Sequence, residues 1–300
     1  MTGYSSHAVP VRGGELAVGV WGSESAAQTV LLVHGVTASH QSWPLVAEAL
    51  TGVRVIAPDL RGRGRSNTLP GPYGMPQHAD DLAAVLDHFA VGSCVVVGHS
   101  MGAFVSVVFA HRHPERVSEL VLVDGGLPLA VPEGMDPAEF TKAVLGPASE
   151  RLSMTFPSRE AYATFWQQHP AFSEWTETVA DYVDYDLQGA APELHPATAY
   201  QAVAEDSAEL TGSDSVVSAL EHLAHRTVFL RAPRGLLDAE PLYQAPDVAA
   251  WAARLPDFEA VEVDDVNHYT IILGRHGAQQ VVPRIREALT RQQPAAGISA

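Results

Sequence analysis

The stretch Val95-Val96-Val97-Gly98-His99-Ser100-Met101-Gly102-Ala103-Phe104 decides the fold. Its β-branched run ends at Gly98 and a helical pattern opens directly after Ser100, so a buried strand turns sharply into a helix. The order at that turn is G-x-S-x-G. Such a turn holds the serine backbone at positive φ. Only small residues fit two positions before and after it, and Gly98 and Gly102 meet that need. The Ser100 hydroxyl is lifted out of the sheet toward the N-terminus of the following helix, where backbone N–H groups and the helix dipole stabilise negative charge. A plain glycine-rich β-to-α turn shares this five-residue pattern, but a turn has no structural need of an exposed serine. The strand before and the helix after favour a nucleophile.

Working outward, residues 7–11 and 16–20 flank Arg12-Gly13-Gly14-Glu15 and read as a β-hairpin. Residues 29–33 form an apolar strand running into His34-Gly35-Val36-Thr37. Residues 42–50 carry helical spacing, with Ser42 as N-cap and Pro44 in the first turn. A strand over 53–57 leads into Pro58-Asp59-Leu60 and the loop Arg61-Gly62-Arg63-Gly64-Arg65-Ser66, and 78–89 is an amphipathic helix. After the helix at 101–111 comes a strand over 119–123. The pattern resumes with a strand at 227–231, a helix at 247–255, a strand at 259–263 and a closing helix at 277–291, ahead of a frayed tail over 292–300. Eight strands alternating with helices predict an α/β protein with a doubly wound, mostly parallel eight-stranded sheet, which binds ligands at the carboxyl ends of its strands.

Between the two halves the rhythm breaks. Residues 127–225 show helix-like pieces and no convincing strand. They carry 16 Asp/Glu against three basic residues (Lys142, Arg151, Arg159), a net of −13 out of −17 for the chain. We read an inserted helical cap over 127–225 and a core over 1–126 and 226–300. Most cap aromatics pack against one another; Phe165 and Trp166, with Tyr269 from the core, are the candidates to face a substrate.

The acidic balance argues against nucleic acid or an anionic membrane surface as partner. The sequence has no apolar run long enough to span a bilayer, and residues 1–22 alternate like a strand without a basic, then apolar, leader. Its single cysteine, Cys94, abuts the Val95–Val97 run and reads as a small core residue. These features predict a cytoplasmic, bacterial-type protein, monomeric or homodimeric, acting on a small molecule.

A serine nucleophile needs a base, and the base needs an orienting acid, in the chain order Ser…Asp…His. His268, just past the last strand, is the base. Asp238, in Gly235-Leu236-Leu237-Asp238 after the strand at 227–231, is the expected acid, with Glu240 as a nearby competitor and Asp124 after the strand at 119–123 as the alternative. The oxyanion of acyl transfer needs two donors, expected from the backbone N–H groups of Met101 and Val36. The Arg61–Ser66 loop lacks the lysine and spacing of a phosphate-binding loop, and the His, Asp and Glu residues show no metal-ligand spacing.

With Gly98–Gly102, His34-Gly35, the Asp59–Ser66 loop, Asp238 and His268, the chain resembles the α/β-hydrolase family over roughly residues 4–126 and 226–291. The Asp59–Ser66 loop and the Gly-His-Ser-Met-Gly elbow are similar to those of its cap-bearing esterases, lactonases and C–C hydrolases. The resemblance implies a serine hydrolase that needs no metal or cofactor, with the same triad open to C–C cleavage, cyclisation, lyase chemistry or mere ligand binding as alternatives. Two features depart from the family pattern: Pro241 follows Asp238 closely, and Asn267 stands before the histidine where glycine is common.

Overall fold

A computed structural model describes residues 3–292. The chain opens with the hairpin β1 (Tyr4–Val11) and β2 (Gly14–Trp21), then β3 (Thr29–Val33), α1 (Pro44–Ala49), β4 (Arg54–Pro58), α2 (Met75–His88), β5 (Cys94–His99), α3 (Met101–Arg112) and β6 (Val117–Val123). An inserted segment follows, holding α4 (Pro137–Arg151), α5 (Arg159–Gln167), α6 (Glu177–Tyr185), β7 (Leu187–Ala190), β8 (Glu193–Pro196), α7 (Tyr200–Ser207) and α8 (Asp214–Glu221). The chain closes with β9 (Thr227–Arg231), α9 (Ala245–Ala252), β10 (Phe258–Glu262), α10 (Thr270–Leu273) and α11 (Arg275–Gln292).

The main sheet has eight strands in the order β1-β2-β4-β3-β5-β6-β9-β10. β2 alone runs against the rest, antiparallel to β1 and to β4; every other pairing is parallel. The expected mostly parallel, doubly wound sheet is what the chain forms. β5 lies in the middle, bonded on both sides, and its run is buried on both faces. Val96 faces the layer of α2, α3 and α8, whereas Val95 and Val97 face the layer of α1, α10 and α11. Parallel strands covered by helices on both faces read as continuous apolar runs, and this is why the sequence signal here was strong. α3 is buried over nearly its whole circumference, wedged between the sheet and the helices α2 and α8.

Four expectations change. The segment 127–225 does contain strands: β7 and β8 form an antiparallel hairpin, with Leu187, Leu194 and Pro196 as its buried side chains. Four-residue strands interleaved with polar residues give too short an alternation to read. α8 packs on α2 and α3, with Val216, Ala219 and Leu220 in the same apolar cluster as Phe104, so the last part of the segment lies with the core. Ser42 is not the cap of α1: it ends a 3₁₀ turn, its Oγ donates to the Ser39 carbonyl at 2.8 Å, and Trp43 holds the cap position before Pro44. A short helix, α10, stands just after His268 where none was read. The tail expected to fray, beyond Gln292, lies outside the described residues.

Core and insert are joined through the Asp59–Ser66 loop. Arg63, fully buried, forms an ion pair with Asp206 of α7, and Asp206 also accepts from His78 Nε2 (2.9 Å) and the Gly74 N–H (2.6 Å). Asp59, equally buried, accepts from His40 Nδ1 (2.8 Å) and from the Tyr185 hydroxyl at the end of α6 (2.7 Å). Burying charges is costly unless each lone pair finds a donor, and both carboxylates have several.

Candidate active site

β5 delivers Ser100 with φ 55° and ψ −126°, a strained backbone for a non-glycine residue. Three close approaches enforce it. A Cβ on Gly98 would lie 2.4 Å from the Gly102 carbonyl oxygen, and one on Gly102 would lie 2.2 Å from that of Val33. One on Gly125 would lie 2.1 Å from the carbonyl oxygen of Ser100 itself. Gly98 and Gly102 were legible in the motif. Gly125 was not, because its need arises where the segments leaving the neighbouring strands β5 and β6 lie side by side.

His268 follows β10, and its Nδ1 lies 2.6 Å from Asp124 Oδ2, with both side chains buried. The carboxylate accepts, so Nδ1 carries the proton and Nε2 is left as the acceptor. Asp124 sits directly after β6 at φ 47°, and its other oxygen accepts from the Ala232 N–H at 3.1 Å. The carboxylate next to His268 is therefore that of Asp124 and not that of Asp238. Asp238 stands at φ 57° in a tight turn closed by the Gly235 N–H to the Ala239 carbonyl (3.1 Å). That turn directs its carboxylate back to Arg234 Nε (2.7 Å), at 39% side-chain exposure.

Asn267 connects the two. Its Nδ2 donates to Asp238 Oδ1 and to the Ala171 carbonyl, both at 2.9 Å, and its Oδ1 accepts from the N–H groups of Tyr269 and Thr270. The residue that departs from glycine thus uses its whole amide to fix the His268 loop against the insert and the loop after β9.

Met101 occupies the first position of α3, where helical N–H groups lack intrahelical acceptors. Val36 lies in the loop after β3, and Gly35 brings that loop close: a Cβ there would lie 3.0 Å from Ser100 Cβ. Arg63 holds the loop, its Nε donating to the Val36 carbonyl at 2.9 Å. His34 is structural. Its Nε2 accepts from the Leu60 N–H at 2.9 Å, and burial lowers its pKa to about 4 despite the neighbouring Asp59.

Ser100, His268 and Val36 line one narrow cavity of about 30 Å³, together with Tyr182 and Tyr269. Tyr182, from α6, was not among the expected substrate residues. Trp166 stands behind the cavity, its ring 6.3 Å from those of Tyr182 and Tyr269, while Phe165 packs on Phe156 and Tyr162 inside the insert. A larger groove of about 670 Å³ between α1 and α11 is lined by none of these groups. Among the described residues, no three His, Cys, Asp or Glu side chains are grouped to hold a metal ion, and no helix is long and apolar enough to cross a membrane.

Residues 28–165 match the family described as the alpha/beta hydrolase fold. A solved structure of E-2-(acetamidomethylene)succinate hydrolase superposes with a TM-score of 0.77 at 21% identity, covering 96% of this chain and all of that one. The chain has the α/β-hydrolase fold. Among curated proteins, lipase LipV of Mycobacterium tuberculosis is 37% identical over 123 residues, 37% of this chain and 47% of that protein. The bifunctional esterase/perhydrolase DCH of Acinetobacter calcoaceticus is 32% identical over 123 residues, 38% of this chain and 45% of that protein. The chain thus spans about half the length of these relatives. The matched residues contain the Val36 loop, the Asp59–Ser66 loop, the elbow and Asp124; His268 lies beyond them.

Proposed function

We propose that the protein is a serine hydrolase of carboxylic esters or lactones, with Ser100 as nucleophile, His268 as general base and Asp124 as the acid that orients it. The reading rests above all on one observation: a strained, cavity-facing serine shares its cavity with a histidine whose far nitrogen is held by a buried carboxylate. Ser100 Oγ attacks the acyl carbon while His268 Nε2 takes its proton. The backbone N–H groups of Val36 and Met101 receive the oxyanion. The protonated imidazole then gives its proton to the departing alcohol, leaving an acyl-enzyme. Water, deprotonated by His268, attacks that acyl group and releases the acid.

The substrate is small to medium and largely apolar. Support comes from the cavity wall, where Val36, Ala38, Leu236, Tyr269 and Ile272 offer apolar surface. The insert acts as a cap over the acyl chain, supported by Tyr182, which reaches the cavity from α6.

The test is hydrolysis of p-nitrophenyl esters from C2 to C12 by the wild type and Ser100→Ala. We expect a chain-length preference and a fall of about 10⁴- to 10⁶-fold in the variant. Activity that survives Ser100→Ala would sink the mechanism, and a folded but inactive wild type would move the reading to a binding module or to non-ester chemistry.

A further inference from the structure

The residue before the nucleophile, His99, has an arrangement that the three proposed triad members do not use. Its side chain leaves β5 on the face opposite α3 and is 5% exposed. Its Nε2 lies 2.8 Å from the backbone carbonyl oxygen of His268. A carbonyl can only accept, so Nε2 carries the proton, and Nδ1 presents a bare lone pair. Burial, reinforced by the adjacent His268, pushes the His99 pKa well below the usual imidazole value, which keeps the ring neutral and that lone pair free.

Among the described residues nothing donates to Nδ1. Leaving a buried acceptor unpaired costs free energy, so this lone pair favours any donor that enters the cavity. The lone pair is beside the reaction centre. A Cβ built on Gly35 would lie 3.4 Å from Ser100 Oγ and 3.6 Å from His99 Nδ1, so both atoms border the same small space. His99 lines the cavity with Ser100 and His268, and the rings of His99 and His268 stand 4.7 Å apart at 37°. The cavity, at about 30 Å³, has room for a water beside Ser100 and His268.

We propose that His99 is the positioning residue for the deacylating water: its Nδ1 accepts one O–H of that water while its Nε2–H anchors the His268 backbone. The inference rests on the acyl-enzyme reading above. The water's second O–H points to His268 Nε2. As the water oxygen bonds to the acyl carbon, Nε2 takes that proton. When the tetrahedral intermediate collapses, the C–Oγ bond breaks and the same proton passes to Ser100 Oγ. The products are the carboxylic acid and free serine, and His99 neither gains nor loses a proton. Acylation uses no water, so the Nδ1 contact acts on one half of the cycle, whereas the Nε2–H anchor of His268 serves both.

The experiment is stopped-flow hydrolysis of p-nitrophenyl acetate by the wild type, His99→Leu and His99→Gln, with mass spectrometry of the quenched enzyme. In His99→Leu the lost anchor slows both steps, and deacylation slows at least about tenfold more than acylation, the added effect being that of misplacing one reactant. A stoichiometric burst then appears, with acetyl accumulating on Ser100. His99→Gln, which keeps one donor and one acceptor, restores the wild-type partition. Equal slowing of both steps, or of neither, in His99→Leu would overturn the proposal. If the leucine variant does not fold, the wild type decides through alcohol competition. Methanol then captures the acetyl group far better than 1-propanol, and equal capture by both would overturn the proposal. Turnover that survives Ser100→Ala would instead refute the acyl-enzyme reading itself, a distinct result.

Discussion

His268 Nδ1 and Asp124 Oδ2 lie 2.6 Å apart across 144 residues of chain, inside a buried pocket where no solvent competes for either group. The contact joins the end of β6 to the loop after β10, two strands separated in the sheet only by β9. It divides the roles of two aspartates. Asp124→Asn should lower kcat for p-nitrophenyl acetate by about 10³- to 10⁴-fold, because the amide favours the wrong imidazole tautomer. Asp238→Asn should cost less than about tenfold, since Asp238 reaches His268 only through Asn267. Steady-state kinetics of both variants decide the matter, and the reverse ranking would return the acid role to Asp238.

Gly125 carries the elbow's backbone strain as much as the motif glycines do. An added Cβ meets the Ser100 carbonyl oxygen at 2.1 Å, a backbone atom that cannot swing away. Gly125→Ala should destabilise the protein by about 1–3 kcal/mol, as overpacking does. It should lower activity further, because the strain is relieved by moving Ser100. Gly92→Ala, where a Cβ meets nothing within 4 Å, is the matched control. Urea unfolding and esterase rates are the measurements, and indistinguishable behaviour of the two variants would refute the account.

Asp206 holds the insert to the core. Asp206→Ala would strand the fully buried Arg63 guanidinium and remove the acceptor of His78 and Gly74. Breaking one side of a buried pair costs about 3–5 kcal/mol. Arg63 also holds the Val36 carbonyl, so activity should fall along with stability. A loss below about 1 kcal/mol in chemical denaturation would show that the pair is not a structural clamp.

Stability should decline on mild acidification. His34 has its folded pKa lowered to about 4 by burial, against about 6.5 in an unfolded chain. The unfolded state therefore binds the extra proton first. Above pH 6.5 both states are neutral at this site and nothing is lost. Between about 6.5 and 4 stability falls by up to about 1.4 kcal/mol per pH unit per such group. His99, shifted in the same direction, adds to the slope. Denaturation midpoints from pH 8 to 4 test this, with His34→Gln expected to flatten the slope; a profile flat from 7 to 4.5 would contradict it.

The elements that are written locally can be read from the chain alone. Val95–Val97 between two glycines and a helix start defines a central parallel strand and its elbow, because burial on both faces leaves a continuous apolar run. The place of His268 after the last strand was legible for the same reason: strand order implies which loops meet at the carboxyl edge. Residues 127–225 stand out as a change of composition, but their hairpin was too short to read.

Which carboxylate faces His268 depends on how distant loops pack. Asp124 and Asp238 both follow strands and both adopt positive φ, so their local signatures are alike. What separates them is direction in space. Asp124 turns inward beneath the His268 loop, where the Ala232 N–H receives its second oxygen, whereas the turn over residues 235–239 swings Asp238 out to Arg234. Pairings over more than a hundred residues depend on how loops pack, and no local propensity encodes that. The same holds for Gly125 against Ser100, Arg63 against Val36 and His99 against His268: each is ordinary in sequence and acquires its part from what the fold lays against it.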